Sequence, residues 1–97
     1  MNIKGKEFSH RLLYQAFLQL ETVEEVAALF EDLCTISEIQ AMSQRMEVAK
    51  MLSEQCPYAE IVEKTGASSA TISRVGKCLN YGQDGYKTVL NRLSDGK

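Results

Sequence analysis

The run Pro57-Tyr58-Ala59-Glu60-Ile61-Val62-Glu63-Lys64-Thr65-Gly66-Ala67-Ser68-Ser69-Ala70-Thr71-Ile72-Ser73-Arg74-Val75-Gly76-Lys77-Cys78-Leu79 holds two short helical patterns separated by one glycine. Pro57 suits the first residue of a helix, where its missing N–H is no loss. Ile61 and Val62 are expected to face inward, and Gly66 follows Lys64-Thr65 where a helix stop needs a left-handed residue. Ser68 or Ser69 can cap the next helix. Ile72, Val75 and Leu79 step by three or four and form its inner stripe. Two short helices around a tight glycine turn are a helix-turn-helix pattern, here at about residues 57–79. In that geometry the first residues of the second helix can enter a DNA major groove. The outward positions are Ser68, Ser69, Ala70, Ser73, Arg74 and Lys77, which are small, polar or basic. They are the candidate DNA contacts.

Outward from this motif the chain continues to read as helix. A first helix is expected from about Glu7 to Leu20, with Phe8, Leu12 or Leu13, Ala16 or Phe17 and Leu20 at helical spacing. Thr22-Val23-Glu24-Glu25 is a capping box opening a second helix that carries Val26, Leu29, Phe30 and Leu33. Ser37-Glu38-Ile39-Gln40 has the same form and opens a longer helix to about Glu54, with Ile39, Met42, Met46, Ala49 and Leu52 inward. Pro57 is expected to end that helix, because the residue before proline avoids the helical region. No alternating stretch supports a strand, and no repeat or linker interrupts the pattern. The expected fold is all-α, a single helical domain over residues 1–97.

Composition narrows the function classes. Ninety-seven residues leave room for one domain, and 44% hydrophobic with 25% charged residues is ordinary globular usage. A core of this size benefits from pairing with a second copy. The longest apolar run is the five residues Val26 to Phe30, far short of the roughly 20 that span a bilayer. Lys4, Lys6, Glu7, His10 and Arg11 interrupt the N-terminal apolar residues, so no secretory signal is expected. The three cysteines, Cys34, Cys56 and Cys78, have no zinc or C-x-x-C spacing and suit a reducing cytoplasm. One histidine, no G-x-S-x-G and no phosphate-loop pattern leave no catalytic or metal constellation assembled. The chain is not expected to be an enzyme.

The net charge of −2 conceals a division. Residues 1–55 carry five bases and nine acids, whereas residues 56–97 carry six bases and four acids. Between Lys64 and Gln83 there are three bases and no acid. Phosphate affinity requires only the contacting face to be positive. Arg45 sits inside the apolar stripe of the long helix, beside Ala41, Met42, Val48 and Ala49, without a carboxylate one turn away. Such a charge must snorkel to water, pair with an acid on another helix or receive a ligand. Arg74 likewise lacks a neighbouring acid, and a DNA phosphate is its simplest partner.

From Leu33 to about Asn80 the chain resembles the tryptophan repressor superfamily, in particular its Trp-repressor-like bacterial members of unassigned ligand. The resemblance rests on Leu33-Cys34-Thr35-Ile36-Ser37-Glu38, on Arg45, and on Gly66-Ala67 followed by Ala70-Thr71-Ile72-Ser73-Arg74. It implies six helices, the last about Tyr86 to Leu93 after an Asn80–Gly85 turn, and an intertwined homodimer. It also implies two reading heads on successive major grooves of a near-palindromic, double-stranded operator. In tryptophan-binding members two arginines flank the indole and hold its carboxylate, and Arg45 and Arg74 match them. Thr35 and Cys78 match further pocket positions. The resemblance thus implies a small-molecule corepressor site at Thr35, Arg45, Arg74 and Cys78. Val75 replaces a family glycine, Cys78 a serine and Ile36 a proline, and the stretch from Arg45 to Ile61 is one residue shorter. Added side-chain volume and a poorer hydrogen-bond partner argue against tryptophan as that corepressor.

The second helix of the motif has no Asn or Gln before Asn80 for bidentate base contacts. Base reading would fall to Ser69, Ala70 and Ser73, by small side-chain, methyl and water-mediated contacts, with Arg74 and Lys77 on the backbone. The expected function is therefore a cytoplasmic DNA-binding transcriptional regulator, a repressor, with a small-molecule effector only as what the resemblance implies. The alternative is a helical dimerisation or adaptor module whose helix turn packs against a protein partner.

Overall fold

A computed structural model describes residues 9–95, and these form six α-helices and no strand. Residues up to Ile36 make one compact unit and those from Ser37 onward another, each with its own packing.

In the first unit, α1 spans His10–Leu18 and α2 spans Val23–Leu33. The Ser9 hydroxyl caps α1 by accepting from the Leu12 amide at 3.4 Å. Of the wider expected helix, Glu7 and Phe8 lie outside the described residues, and Leu20 falls beyond the helix end. The Thr22 box forms: its hydroxyl accepts from the Glu25 amide at 3.0 Å. The Glu25 carboxylate accepts in turn from Glu21 N–H at 2.8 Å, one residue outside the cap. Phe17 meets Phe30 edge-on at 5.3 Å between centroids, joining α1 to α2. No residue of either helix is buried. Leu12, Leu18, Val23 and Leu33 remain exposed.

Helix α3 spans Ile36–Ser53, so it opens one residue before the expected box. Ser37 is therefore helical, and the positions before and three into the helix fall to Thr35 and Glu38. The stop of α3 also differs from expectation. Gln55 adopts φ +62°, Cys56 N–H donates to Met51 O at 3.0 Å and Gln55 N–H donates to Leu52 O at 3.0 Å. This is a Schellman motif, which satisfies the terminal carbonyls two residues ahead of Pro57. The exposed Lys50–Glu54 pair at 2.8 Å lies in the same final turn.

Helices α4 (Tyr58–Thr65) and α5 (Ser69–Tyr81) flank Gly66, and α6 spans Gly85–Asp95. Pro57 is the residue before α4 rather than its first residue, with extended backbone at φ −61°, ψ 147°. Helix α5 continues through Asn80 and Tyr81, which the expected turn had claimed. It ends at Gly82, whose backbone leaves no room for a side chain: a Cβ there would run into the Cys78 carbonyl oxygen.

The core of the second unit is wholly apolar: Val48, Ala49 and Met51 of α3, Ile61 of α4, Ala67 of the turn, and Ile72 and Val75 of α5. Leu52, Cys56, Leu79, Tyr86 and Leu90 pack against it. Ile61 is 0% exposed as expected, but Val62 is 38% exposed. Residue 61 joins the core cluster with Ile72 and Val75, and one step of 100° turns residue 62 away.

Gln55→Gly removes a side chain from a left-handed residue and should raise unfolding stability by about 1 kcal/mol in a urea titration. Gly82→Ala should lower it by roughly 1–3 kcal/mol in the same measurement, since Cys78 backbone must yield.

Candidate nucleic-acid interface

Everything the second helix of the motif can present depends on how α4 ends. The last carbonyls of a helix lack internal partners, and at the end of α4 those of Val62 and Thr65 are supplied from nearby. Gly66, at φ +70°, sends its N–H to Val62 O at 2.9 Å. The Thr65 hydroxyl donates to Ile61 O at 2.7 Å and accepts from the Ala67 amide at 3.1 Å. The Thr65 carbonyl accepts from Gln44 Nε2 of α3 at 3.1 Å. Ala67 then drops into the core and Ser68 starts α5.

Ser68 is the cap. Its hydroxyl accepts from the Thr71 amide at 3.1 Å and donates to Thr71 Oγ1 at 3.2 Å. With Ile72 and Val75 buried, the opposite face of α5 is turned out. All six residues expected there, Ser68, Ser69, Ala70, Ser73, Arg74 and Lys77, are exposed. Lys77 and Arg74 have no ion-pair partner among the described residues, whereas Lys64 pairs with Glu60 at 3.4 Å. The outward face of α5 is thus a strip of small side chains with two uncommitted cations. Electrostatically, it suits polyanion backbone with short-range contact to whatever lies between the phosphates.

The residues matched to an effector pocket come from two helices of the second unit and, for Thr35, from the end of the first. Arg45 is half-buried on α3 and makes no ion pair among the described residues. Arg74 and Cys78 are exposed on α5, and Thr35 is exposed between α2 and α3. Cys78 lines an apolar groove of about 530 Å³ with Met46, Gly82, Tyr86 and Val89 among others, and neither arginine lines it. Val75 is 1% exposed, so it fills core rather than bordering an opening. No three His, Cys, Asp or Glu side chains among the described residues are placed to hold a metal. No helix among them is long and apolar enough to cross a membrane.

Reasoning from apolar spacing missed Gln44, a polar residue inside the long helix. The signal was its register: Gln44, Val48 and Met51 fall at i, i+4 and i+7, on the edge of α3 that meets α4.

Comparisons with known proteins agree with this geometry. Residues 9–94 match the Trp repressor protein family. The chain is 50% identical over 93 residues to the uncharacterized protein YerC of Bacillus subtilis (strain 168), covering 96% of this chain and 88% of that one. The crystal structure of a TrpR-like protein from Eubacterium eligens ATCC 27750 superimposes with a TM-score of 0.85 at 55% identity, over 96% of each chain. A Trp repressor candidate from Staphylococcus aureus gives 0.84 at 44% identity, over 97% of this chain and 95% of the other. A helix-turn-helix capped at Ser68 and stopped at Gly66, within a match over nearly the whole chain, identifies it: the protein belongs to the Trp repressor family.

Proposed function

We propose that the chain is a sequence-specific transcriptional regulator, a repressor, that acts in the cytoplasm as a homodimer on double-stranded operator DNA. The observation that carries this reading is the acid-free, small-residue face of α5, with Arg74 and Lys77 free to meet phosphates. Ser69, Ala70 and Ser73 make the base-edge contacts. Ser68 contributes mainly by holding the helix start, because its hydroxyl is engaged by Thr71. Two copies place two reading helices roughly 34–36 Å apart, one turn of the duplex. The exposed Leu12, Leu18, Val23 and Leu33 of the first unit and Leu93 of α6 favour a dimer, since such apolar surface is normally covered. The protein acts by binding, with no catalytic step.

An effector reading has one observation in its favour. Arg45 is half-buried on α3 and makes no ion pair among the described residues, which suits a small anionic ligand. The buried Val75 and the thiol at Cys78 stand against tryptophan as that ligand.

Fluorescence anisotropy against a site selected from random duplex DNA tests the first reading. Lys77→Ala should weaken binding evenly across sequences and reduce the salt slope by about 1, the signature of one lost phosphate contact. Ser73→Ala should instead change preference at one base pair, by about 1–3 kcal/mol. Binding without salt dependence, or without any selected sequence, would favour a protein-binding adaptor. The chain has no tryptophan, so added tryptophan reports on itself alone. Its emission should stay unchanged at millimolar protein, and a shift or enhancement would reinstate it as corepressor.

A further inference from the structure

We infer that Gln44 is a positioning residue for the reading head: its side-chain amide fixes the turn of the helix-turn-helix against α3 and so sets where α5 sits when DNA is read. The inference rests on the DNA-binding reading above and adds to it a residue outside the motif.

Three observations support it. The Gln44 amide donates to the Thr65 carbonyl across 21 residues of chain, at 3.1 Å and partly buried. Every other hydrogen bond at this turn is local: Gly66 to Val62, Thr65 to Ile61, Ala67 to Thr65. Local bonds define the shape of the turn but not its place on α3. Below the turn, Val48 and Met51 of the same α3 edge pack in one cluster with Ile61 and Ala67. Those contacts are apolar and lack direction, so they tolerate small sliding or rotation of the head. A hydrogen bond is directional and weakens steeply when misaligned. Gln44 thus adds a fixed point that packing alone lacks, at the residue where α4 ends and three residues before the Ser68 cap.

The chemistry also explains why a polar residue occupies this edge. Thr65 O is a terminal helix carbonyl, and Gly66 N–H is already committed to Val62. An apolar residue at position 44 would leave that carbonyl to solvent in a groove bounded by Glu47 and Lys64. The side chain needs a donor of amide length and no charge. Glutamine meets this requirement, whereas a carboxylate at neutral pH would present oxygen to oxygen.

The test compares the parent chain with Gln44→Met, which keeps length without a donor, and with Gln44→Glu, which keeps shape and reverses the polarity. In the free protein, amide exchange at Gly66 and Ala67 should accelerate about fivefold in Gln44→Met, from loss of one neutral hydrogen bond. Exchange at Met51 and Leu52 should not change. In anisotropy titrations, the ratio of selected to random duplex affinity should fall by a similar factor at an unchanged salt slope, because no phosphate contact is lost. Gln44→Glu should show the same exchange pattern with a larger fall in the ratio. A lower melting temperature with an unchanged affinity ratio would overturn the inference and leave Gln44 a packing residue. Unchanged exchange at the turn would overturn it as well, as would failure of both variants to fold. If the parent itself selects no DNA sequence, the regulator reading fails, and the positioning role falls with it. A selective parent with indifferent variants removes only Gln44.

Discussion

A helix that ends inside a packed fold leaves carbonyl groups that must find donors, and the short α4 does so within three residues. The left-handed Gly66 donates to Val62 O and the Gln44 amide to Thr65 O, while the Thr65 hydroxyl adds a second donor at Ile61 O. Because those demands are met in so little chain, Ala67 reaches the core immediately and Ser68 opens α5 without a loop. The inward placement of Ile72 and Val75 follows, and with it the outward placement of Ser69, Ala70, Ser73, Arg74 and Lys77. The face offered to a partner is therefore a consequence of how one helix stops.

Charge follows the same division of labour. The acids are concentrated before residue 56, and the 20 residues from Lys64 to Gln83 contain none. On α4 the Glu60–Lys64 pair keeps both signs near each other on an exposed surface, where such pairs add little stability. On α5, Arg74 and Lys77 have no such partners among the described residues. An acidic chain can thus carry a locally cationic face, and the mean charge is a poor guide to what that face meets.

The turn was legible because its chemistry is specific: only a residue tolerant of positive φ fits at Gly66, and a serine before a helical stripe is a cap. The α2 box was legible for the same reason. What escaped is where several solutions compete. The long helix offered both Thr35-x-x-Glu38 and Ser37-x-x-Gln40 spacing, and the earlier start won. It ends at Gln55 in a left-handed conformation that glutamine rarely adopts, so the nearer proline looked like the stop. Val62 appeared inward because two adjacent aliphatics cannot be ranked without knowing which faces α5. Of the site, the exposed face of α5 was readable from its stripe. Gln44 was not, because its function comes from a carbonyl 21 positions away.

The core of the second unit has one further consequence. Val48, Ala49, Met51, Ile61, Ala67, Ile72 and Val75 contain no ionisable group, and no polar or charged residue is buried among the described residues. Unfolding these seven side chains therefore brings no buried charge into water, so they add no proton-linked term to the stability of the unit. The displaced titration is at the surface: Glu54, by hydrogen bond and charge, holds the Lys50 ammonium above its ordinary 10.5. A raised lysine contributes stability that is present at neutral pH and lost only as alkali removes its proton. The single histidine, His10, lies exposed on α1 in the first unit. Residues 37–97 contain no histidine, so the second unit carries no imidazole charge for mild acid to change.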